Sequence, residues 1–405
     1  MSHAIHDFTG KLRQPSMLGT VQAYVNWRRA VRKAREAGEA APEPPAEQAP
    51  LSINLDLTTA CNYRCDHCID WDILNSADKH KEQDLEDSLT RMAERGMRSV
   101  ILIGGGEPTV HPRFSHFVKH IKSLDMQVAV VSNGSNGSKL LEIAPLLDER
   151  DWIRLSLDSG SNELFRAMHK PVNKDLTLDE ICSWIPKIKA ANDKPRLGFS
   201  YVITWAGAER DGVDVHENVQ EIVLATERAK KSGFDYISVK PFLERTPEGA
   251  EVMDPSGAKQ QLDEMLTRIR GEVDKALTHA DDAFDVYVST NLRVLEEGNW
   301  KDYTNQPKTC HMQALRQVMT PTGLFNCPAH RGVDKAQVAP VGAFKDEATA
   351  CATTASLSGL LDRFDASHEC REVTCLYNKV NWWLEEQIAG EGDIEASPER
   401  LDAFL

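Results

Sequence analysis

No uninterrupted apolar run among the 405 residues approaches the ~20 needed to cross a bilayer. The N-terminus also lacks the charged, apolar and small-residue succession of a signal peptide. A membrane span and a secreted product are therefore not expected, and a cytoplasmic protein is. Positive charge is scarce. Lys and Arg number 47 against 62 Asp and Glu, giving a formal charge of −15, and no basic stripe interleaved with aromatics offsets that field. A phosphate backbone would be repelled, so nucleic acid is not an expected partner. Nine cysteines are present, an odd count gathered mostly in two regions, in a chain large enough to need no disulfide staples. Thiolate ligation of metal is the better explanation, and it fits a reducing compartment.

The chain divides by pattern into four parts. Residues 1–50 hold a helix near 17–38 with a basic face (Arg28, Arg29, Arg32, Lys33, Arg35), then the stretch APEPPAEQAP, a linker that packs no core. The basic face is expected to be solvated, with docking on the protein's own acidic body as the alternative. Residues 51–243 alternate β-branched runs with helical periodicity. SINLDLT leads into three cysteines, Leu85, Leu89 and Met92 share a helical face that stops at Gly96, and SVILI follows. QVAVVS, WIRLSLD, GFSYVIT and YISVK continue the series, with helical segments near 112–124, 138–148, 176–191 and 216–232. Six such repeats imply an α/β fold with a curved parallel sheet and active residues at the strand C-termini. Residues 244–306 form a less regular connection containing the strand candidate FDVYVST. Residues 307–405 hold five cysteines and a hairpin, RQVMTPTGLFNC, expected to turn at Thr322-Gly323 in a separate small metal-binding module.

Cys61, Cys65 and Cys68 stand in CNYRCDHC, directly after a strand. A structural zinc site closes with four ligands, and here the local set stops at three, with His67 badly placed to be the fourth beside Cys68. A four-iron cluster on three thiolates leaves one iron open to a chelating ligand. Zinc remains the alternative at this point. The segment Gly104-Gly105-Gly106-Glu107-Pro108 follows the next strand, and its side-chain-free backbone with Glu107 suits a cationic amino group. Later strands end in Ser132-Asn133 and in Ser156 and Asp158, residue types equally suited to caps and turns. Lys240 ends YISVK and is expected to be solvated, with a place facing the same cavity as the alternative.

This order of motifs resembles the radical S-adenosylmethionine (SAM) superfamily. The resemblance implies a partial (β/α)6 barrel whose reduced [4Fe-4S] cluster, on Cys61, Cys65 and Cys68, cleaves SAM to methionine and a 5′-deoxyadenosyl radical that takes a hydrogen atom from substrate. It implies that Gly104, Gly105, Gly106 and Glu107 hold the methionine ammonium, that Ser132, Asn133, Ser156 and Asp158 face SAM, and that a flavodoxin or ferredoxin supplies the electron. His67 stands where the family often has an aromatic residue, and its ring can still stack on adenine. Cys310, Cys327, Cys370 and Cys375 resemble the ligand set of a twitch/SPASM auxiliary domain, implying one auxiliary [4Fe-4S] cluster, with a closed zinc site as the alternative. Cys182 and Cys351 are left over. Cys182 lies among Ile181, Ile185 and Ile188 in a helical pattern, which favours packing. If either thiol reaches the barrel mouth, it is a candidate hydrogen-atom donor for epimerisation.

The resulting expectation is a radical SAM oxidoreductase or epimerase acting on a small polar molecule such as a sugar or cyclitol. Maturation of a ribosomally made peptide is a second possibility, lowered because about fifty residues before the barrel are too few for a recognition domain. A non-catalytic zinc-binding scaffold is the third.

Overall fold

The computed structural model describes residues 7–45, 48–246, 249–253 and 262–405; residues 46–47 of the expected linker lie outside the described residues. Six β-branched runs form β1 (Ser52–Leu55), β2 (Ser99–Leu102), β3 (Gln127–Ser132), β4 (Trp152–Ser156), β5 (Arg196–Ile203) and β6 (Tyr236–Pro241), each parallel to the next. Crossover helices cover the outer face, as parallel pairing requires. The helix Glu82–Glu94 illustrates the local logic. Glu82 and Asp84 lie in its first turn, where the helix dipole favours acids, and Leu85, Leu89 and Met92 bury one stripe against the sheet. Each such aliphatic contributes roughly 1.5–3 kcal/mol by leaving water.

Two further strands extend this core. β7 (Asp285–Val288) is the expected FDVYVST strand and pairs in parallel with β6. β8 (Arg316–Thr320) pairs in parallel with β1, in the register Leu55 to Met319. β9 (Gly323–Phe325) and β10 (Gln337–Ala339) complete a single ten-stranded sheet whose order leaves β7 and β8 unpaired with each other, so the barrel is open on that side. The hairpin expected in a separate module thus continues the barrel's own sheet. Its turn is also one residue earlier than expected: Thr320 pairs with Gly323, which leaves Pro321-Thr322 as the loop. Gly323 serves close packing instead, since a Cβ there would stand 2.7 Å from the Ala339 carbonyl oxygen.

The N-terminal helix, Pro15–Ala37, starts with proline in its first turn and ends on Gly38 in the left-handed conformation. Its basic face is docked in part, with Lys33 and Arg35 exposed. Arg28 and Arg35 meet Asp362, Arg32 meets Glu385 at 2.6 Å, and Arg29 donates to the Gln387 carbonyl at 2.7 Å. The helix is therefore docked on the C-terminal helices Glu347–Arg363 and Asn378–Ala389.

The segment 401–405 closes the N-terminal end of the barrel. Gln127 donates to the Leu401 carbonyl at 3.0 Å, Ser99 donates to the Ala403 carbonyl at 2.7 Å, and Phe404 packs on Ile101, Ala129 and Trp152 inside the lumen.

Candidate active site

The chain leaves β1 through Asp56 and enters the loop that carries Cys61, Cys65 and Cys68, all half-buried free thiols. Among the described residues, His67, Asp158 and His169 are the one group of three metal-ligating side chains whose ligand atoms lie within 4.8 Å of one another. Cys61, Cys65 and Cys68 stand on one loop, none in a disulfide, and form a donor set that a metal centre fits.

The loop is fixed to the ends of β4 and β5. His67 lies between Asp66 and Asp158, at 3.1 Å from each, and Asp158 accepts from the Val202 amide at 2.7 Å. Burial alone would lower the His67 imidazole, but its hydrogen bonds to the two carboxylates carry it up to about 9. Burial works to raise Asp158, and the His67 hydrogen bond, the His67 and His169 charges and the Val202 amide together outweigh it, leaving that carboxyl below its ordinary value. His169 stands with Nδ1 3.2 Å from the Cys65 sulfur and Nε2 2.9 Å from the Leu157 carbonyl. Burial pushes it down to about 4, so this ring is neutral.

The glycine motif is held by two close approaches. A Cβ on Gly106 would sit against the Ala60 carbonyl, and one on Gly104 would lie 2.7 Å from the guanidinium carbon of Arg331. Its glycines thus serve contact with the cysteine loop and with a distant arginine, in addition to any ligand. Glu107 is buried and accepts from Thr109 N and Oγ1, from Ser132 Oγ at 2.7 Å and from Asn133 N at 2.6 Å. Burial raises its carboxyl. Glu107, Ser132 and Asn133 are thereby brought together. Ser156 shares the inward face of β4 with Trp152 and Arg154, which line the lumen. Lys240 shares the lumen face of β6 with Tyr236 and Ser238, and is not the solvated lysine expected; burial, then the Arg154 charge, lowers it to about 8.

Arg331 comes from the C-terminal part, four residues after Cys327. It pairs with Asp70 at 2.6 Å and with Asp56 at 3.3 Å, and Asp70 also accepts from the Gly105 amide at 3.2 Å. Beside this network opens a cavity of about 560 Å³, walled by Thr59 and Ile69 of the cysteine loop, Trp71, Arg245, Thr320 and Arg331. Sequence reasoning missed Asp56, Asp70, His169, Arg245 and Arg331. Asp70 had a weak signal in standing two residues from Cys68; the others carry none, because their partners lie far away in the chain.

Cys310, Cys327, Cys370 and Cys375 line a second, smaller cavity, with His330, Phe364 and Tyr377. Asn381 donates to the Cys310 sulfur at 3.5 Å, and His330 Nε2 is 3.5 Å from the Cys370 sulfur. Burial raises all four thiols, Cys327 to about 12. Four half-buried thiols around one cavity, none in a disulfide, form a donor set that a metal centre fits.

The remaining two cysteines are not at the mouth cavity. Cys182 ends the helix Leu178–Cys182, buried in the outer helical layer, and Cys351 is exposed on the helix Glu347–Arg363 with its sulfur toward Glu347. Neither is placed to return a hydrogen atom to a substrate in that cavity.

Residues 55–205 match the family model of the radical SAM superfamily. An S-adenosylmethionine-dependent nucleotide dehydratase of Flammeovirga pacifica is 35% identical over 130 residues, 30% of this chain and 43% of that protein. The mycofactocin maturase MftC of Mycobacterium tuberculosis is 28% identical over 132 residues, 32% of this chain and 33% of its own. The chain thus spans less than half the length of these curated relatives. Among solved structures, Streptococcus suis SuiB bound to precursor peptide SuiA superposes with a TM-score of 0.57 at 15% identity, covering 92% of this chain and 79% of that one. Native anSMEcpe with bound AdoMet gives 0.51 at 14% identity, covering 79% and 82%. Both likenesses are of fold.

Proposed function

We propose, from the premise that this chain belongs to the radical SAM superfamily, that it oxidises a small polar substrate seated in the mouth cavity and passes the second electron to an auxiliary cluster on Cys310, Cys327, Cys370 and Cys375. The observation that carries this reading is the position of the cavity. Its wall is made at once by the loop that carries Cys61, Cys65 and Cys68 and by Arg331, which follows Cys327 in the segment that also lines the second cavity, and this supports a site served by both cysteine sets. With its cluster and SAM bound, such a site supplies hydrogen-atom abstraction. The residues of this chain bind and orient. Glu107 uses one oxygen for three donors and the other for one, which leaves an acceptor position for the ammonium of SAM. Ser156 and Lys240 face the lumen, where ribose and carboxylate oxygens need donors. Phe404 and its segment close the other end of the barrel, which keeps bulk water from the lumen.

Two observations narrow the outcome. No cysteine lines the mouth cavity among the described residues, which favours net oxidation over epimerisation. A volume of about 560 Å³ suits a small molecule. A small molecule is also the substrate class in the name of the nucleotide dehydratases. The electron donor is proposed to be a flavodoxin or ferredoxin.

Replacement of Cys61, Cys65 and Cys68 by alanine is expected to abolish 5′-deoxyadenosine formation. Replacement of Cys310 and Cys327 is expected to leave SAM cleavage and stop substrate turnover. Turnover persisting in that second variant would show the second site to be structural.

A further inference from the structure

The barrel lumen and the cavity of the second cysteine set are separate spaces, and among the described residues Arg316 and Tyr377 are the two that line both. Arg316 opens β8, at the edge of the gap that the sheet leaves between β7 and β8. Tyr377 follows Cys375 by two residues. The guanidinium carbon of Arg316 lies 5.4 Å from the centre of the tyrosine ring, so the two side chains stack into one partition. Lumen walls stand on one side of it, and Cys310, Cys327, Cys370 and Cys375 on the other.

The charge in this partition has no acidic side chain to pair with. Arg316 is 8% exposed. Its Nη2 donates to Asn54 Oδ1 at 2.8 Å and its Nε to the main-chain oxygen of Leu405, while Nη1 has no hydrogen-bond partner. A buried guanidinium without a carboxylate is costly unless negative charge of another kind stands nearby. The second cysteine set is where such charge would be. A four-iron centre on four thiolates is anionic, and more so by one charge once reduced. Arg316 already acts on these sulfurs: burial raises the Cys327 and Cys375 thiols, and the Arg316 charge draws both the other way. Glu251 and Glu369 act in the opposite sense, on Cys327 and Cys370.

We propose that Arg316 is a positioning residue that acts through the auxiliary centre: its fixed charge, held in the wall between lumen and centre, favours the reduced form and so draws the second electron out of the lumen. The inference rests on the reading of the second cysteine set as an auxiliary cluster. A unit charge at about 10 Å, through an interior of effective dielectric about 20, changes a one-electron equilibrium by about tenfold.

The test is anaerobic potentiometric titration, followed by electron paramagnetic resonance, of the full chain carrying C61A/C65A/C68A, in which the second cysteine set alone holds iron. Dithionite supplies the one electron that reduces the centre. R316Q is expected to make that reduction about tenfold less favourable, a fall of about 59 mV in the midpoint. R316K keeps the charge and is expected to stay near the unaltered value, which separates charge from packing. N54D sets a carboxylate beside the guanidinium and leaves Arg316 in place; it is expected to lower the midpoint too, and it carries the test if R316Q fails to fold. A midpoint unmoved or raised in an iron-replete R316Q, or in N54D where R316Q does not fold, overturns the proposal, as does an equal fall in R316Q and R316K. Iron content tests the underlying reading separately. About four irons per chain in the triple variant, with a midpoint indifferent to Arg316, keep the auxiliary cluster and lose this inference, whereas no iron there removes both.

Discussion

Substitution of Gly106 by alanine probes the junction on which SAM chemistry depends. The added Cβ would overlap the Ala60 carbonyl oxygen and stand 2.6 Å from the carbonyl carbons of Thr59 and Ala60, where ordinary contact begins at 3.4 Å, so the loop has to retreat by more than about 0.8 Å. Both neighbours are backbone, and no side chain can swing aside. Overpacking of this kind costs about 1–3 kcal/mol of stability. The displaced residue is the one before Cys61, and a misplacement near 1 Å at a reacting centre costs on the order of 100-fold in rate. Gly106→Ala is therefore expected to fold, to lose iron from the first site, and to form 5′-deoxyadenosine on the order of 100-fold more slowly, measured by chromatography of anaerobic reactions. Gly271 lies inside the helix Leu262–Leu277 and a Cβ there meets nothing within 4 Å, so Gly271→Ala serves as the control. It should gain about 0.5–1 kcal/mol by helix propensity and leave cleavage unchanged. A Gly106→Ala protein with full iron and an unchanged cleavage rate would refute the account of the glycine motif.

Three further outcomes are expected. Lys240→Met should remove a pH dependence: because the folded lysine titrates near 8, below its ordinary 10.5, the unfolded chain holds the extra proton between those values. The unaltered protein therefore gains up to about 1.4 kcal/mol per pH unit across that window relative to the variant, read from denaturant unfolding at pH 8 and 10. Phe404→Ala should cost about 3–5 kcal/mol, since the ring packs against Ile101, Ala129 and Trp152; a loss under about 1 kcal/mol would mean that the segment does not seal the barrel. Arg35→Ala, at a half-exposed ion pair with Asp362, should cost no more than about 1 kcal/mol and nothing measurable at high salt.

Local chemistry made much of the fold and the first site legible. Strand runs, the stripe of Leu85, Leu89 and Met92, and the order of cysteines, glycines and strand-end polar residues are all short-range patterns. What escaped was set by partners far along the chain. Arg316–Thr320 is buried throughout because β1 flanks it on one side and β9 on the other, and a run of that kind gives no sign of which strand it joins. Arg331 reaches Asp70 across 261 residues, and His169 reaches Cys65 across 104; neither leaves a periodic trace. Lys240 was expected in solvent because lysine usually is, and only the curvature of the sheet turns its face into the lumen.

The central claim is that Cys61, Cys65 and Cys68 hold an iron–sulfur cluster at which SAM is cleaved. Iron content and 5′-deoxyadenosine formation, determined on one sample purified without oxygen and reduced with dithionite, test it most directly. The account predicts a brown protein with about eight irons per chain that converts SAM to 5′-deoxyadenosine and methionine. A colourless protein that retains zinc in both cysteine sites and leaves SAM intact would contradict it.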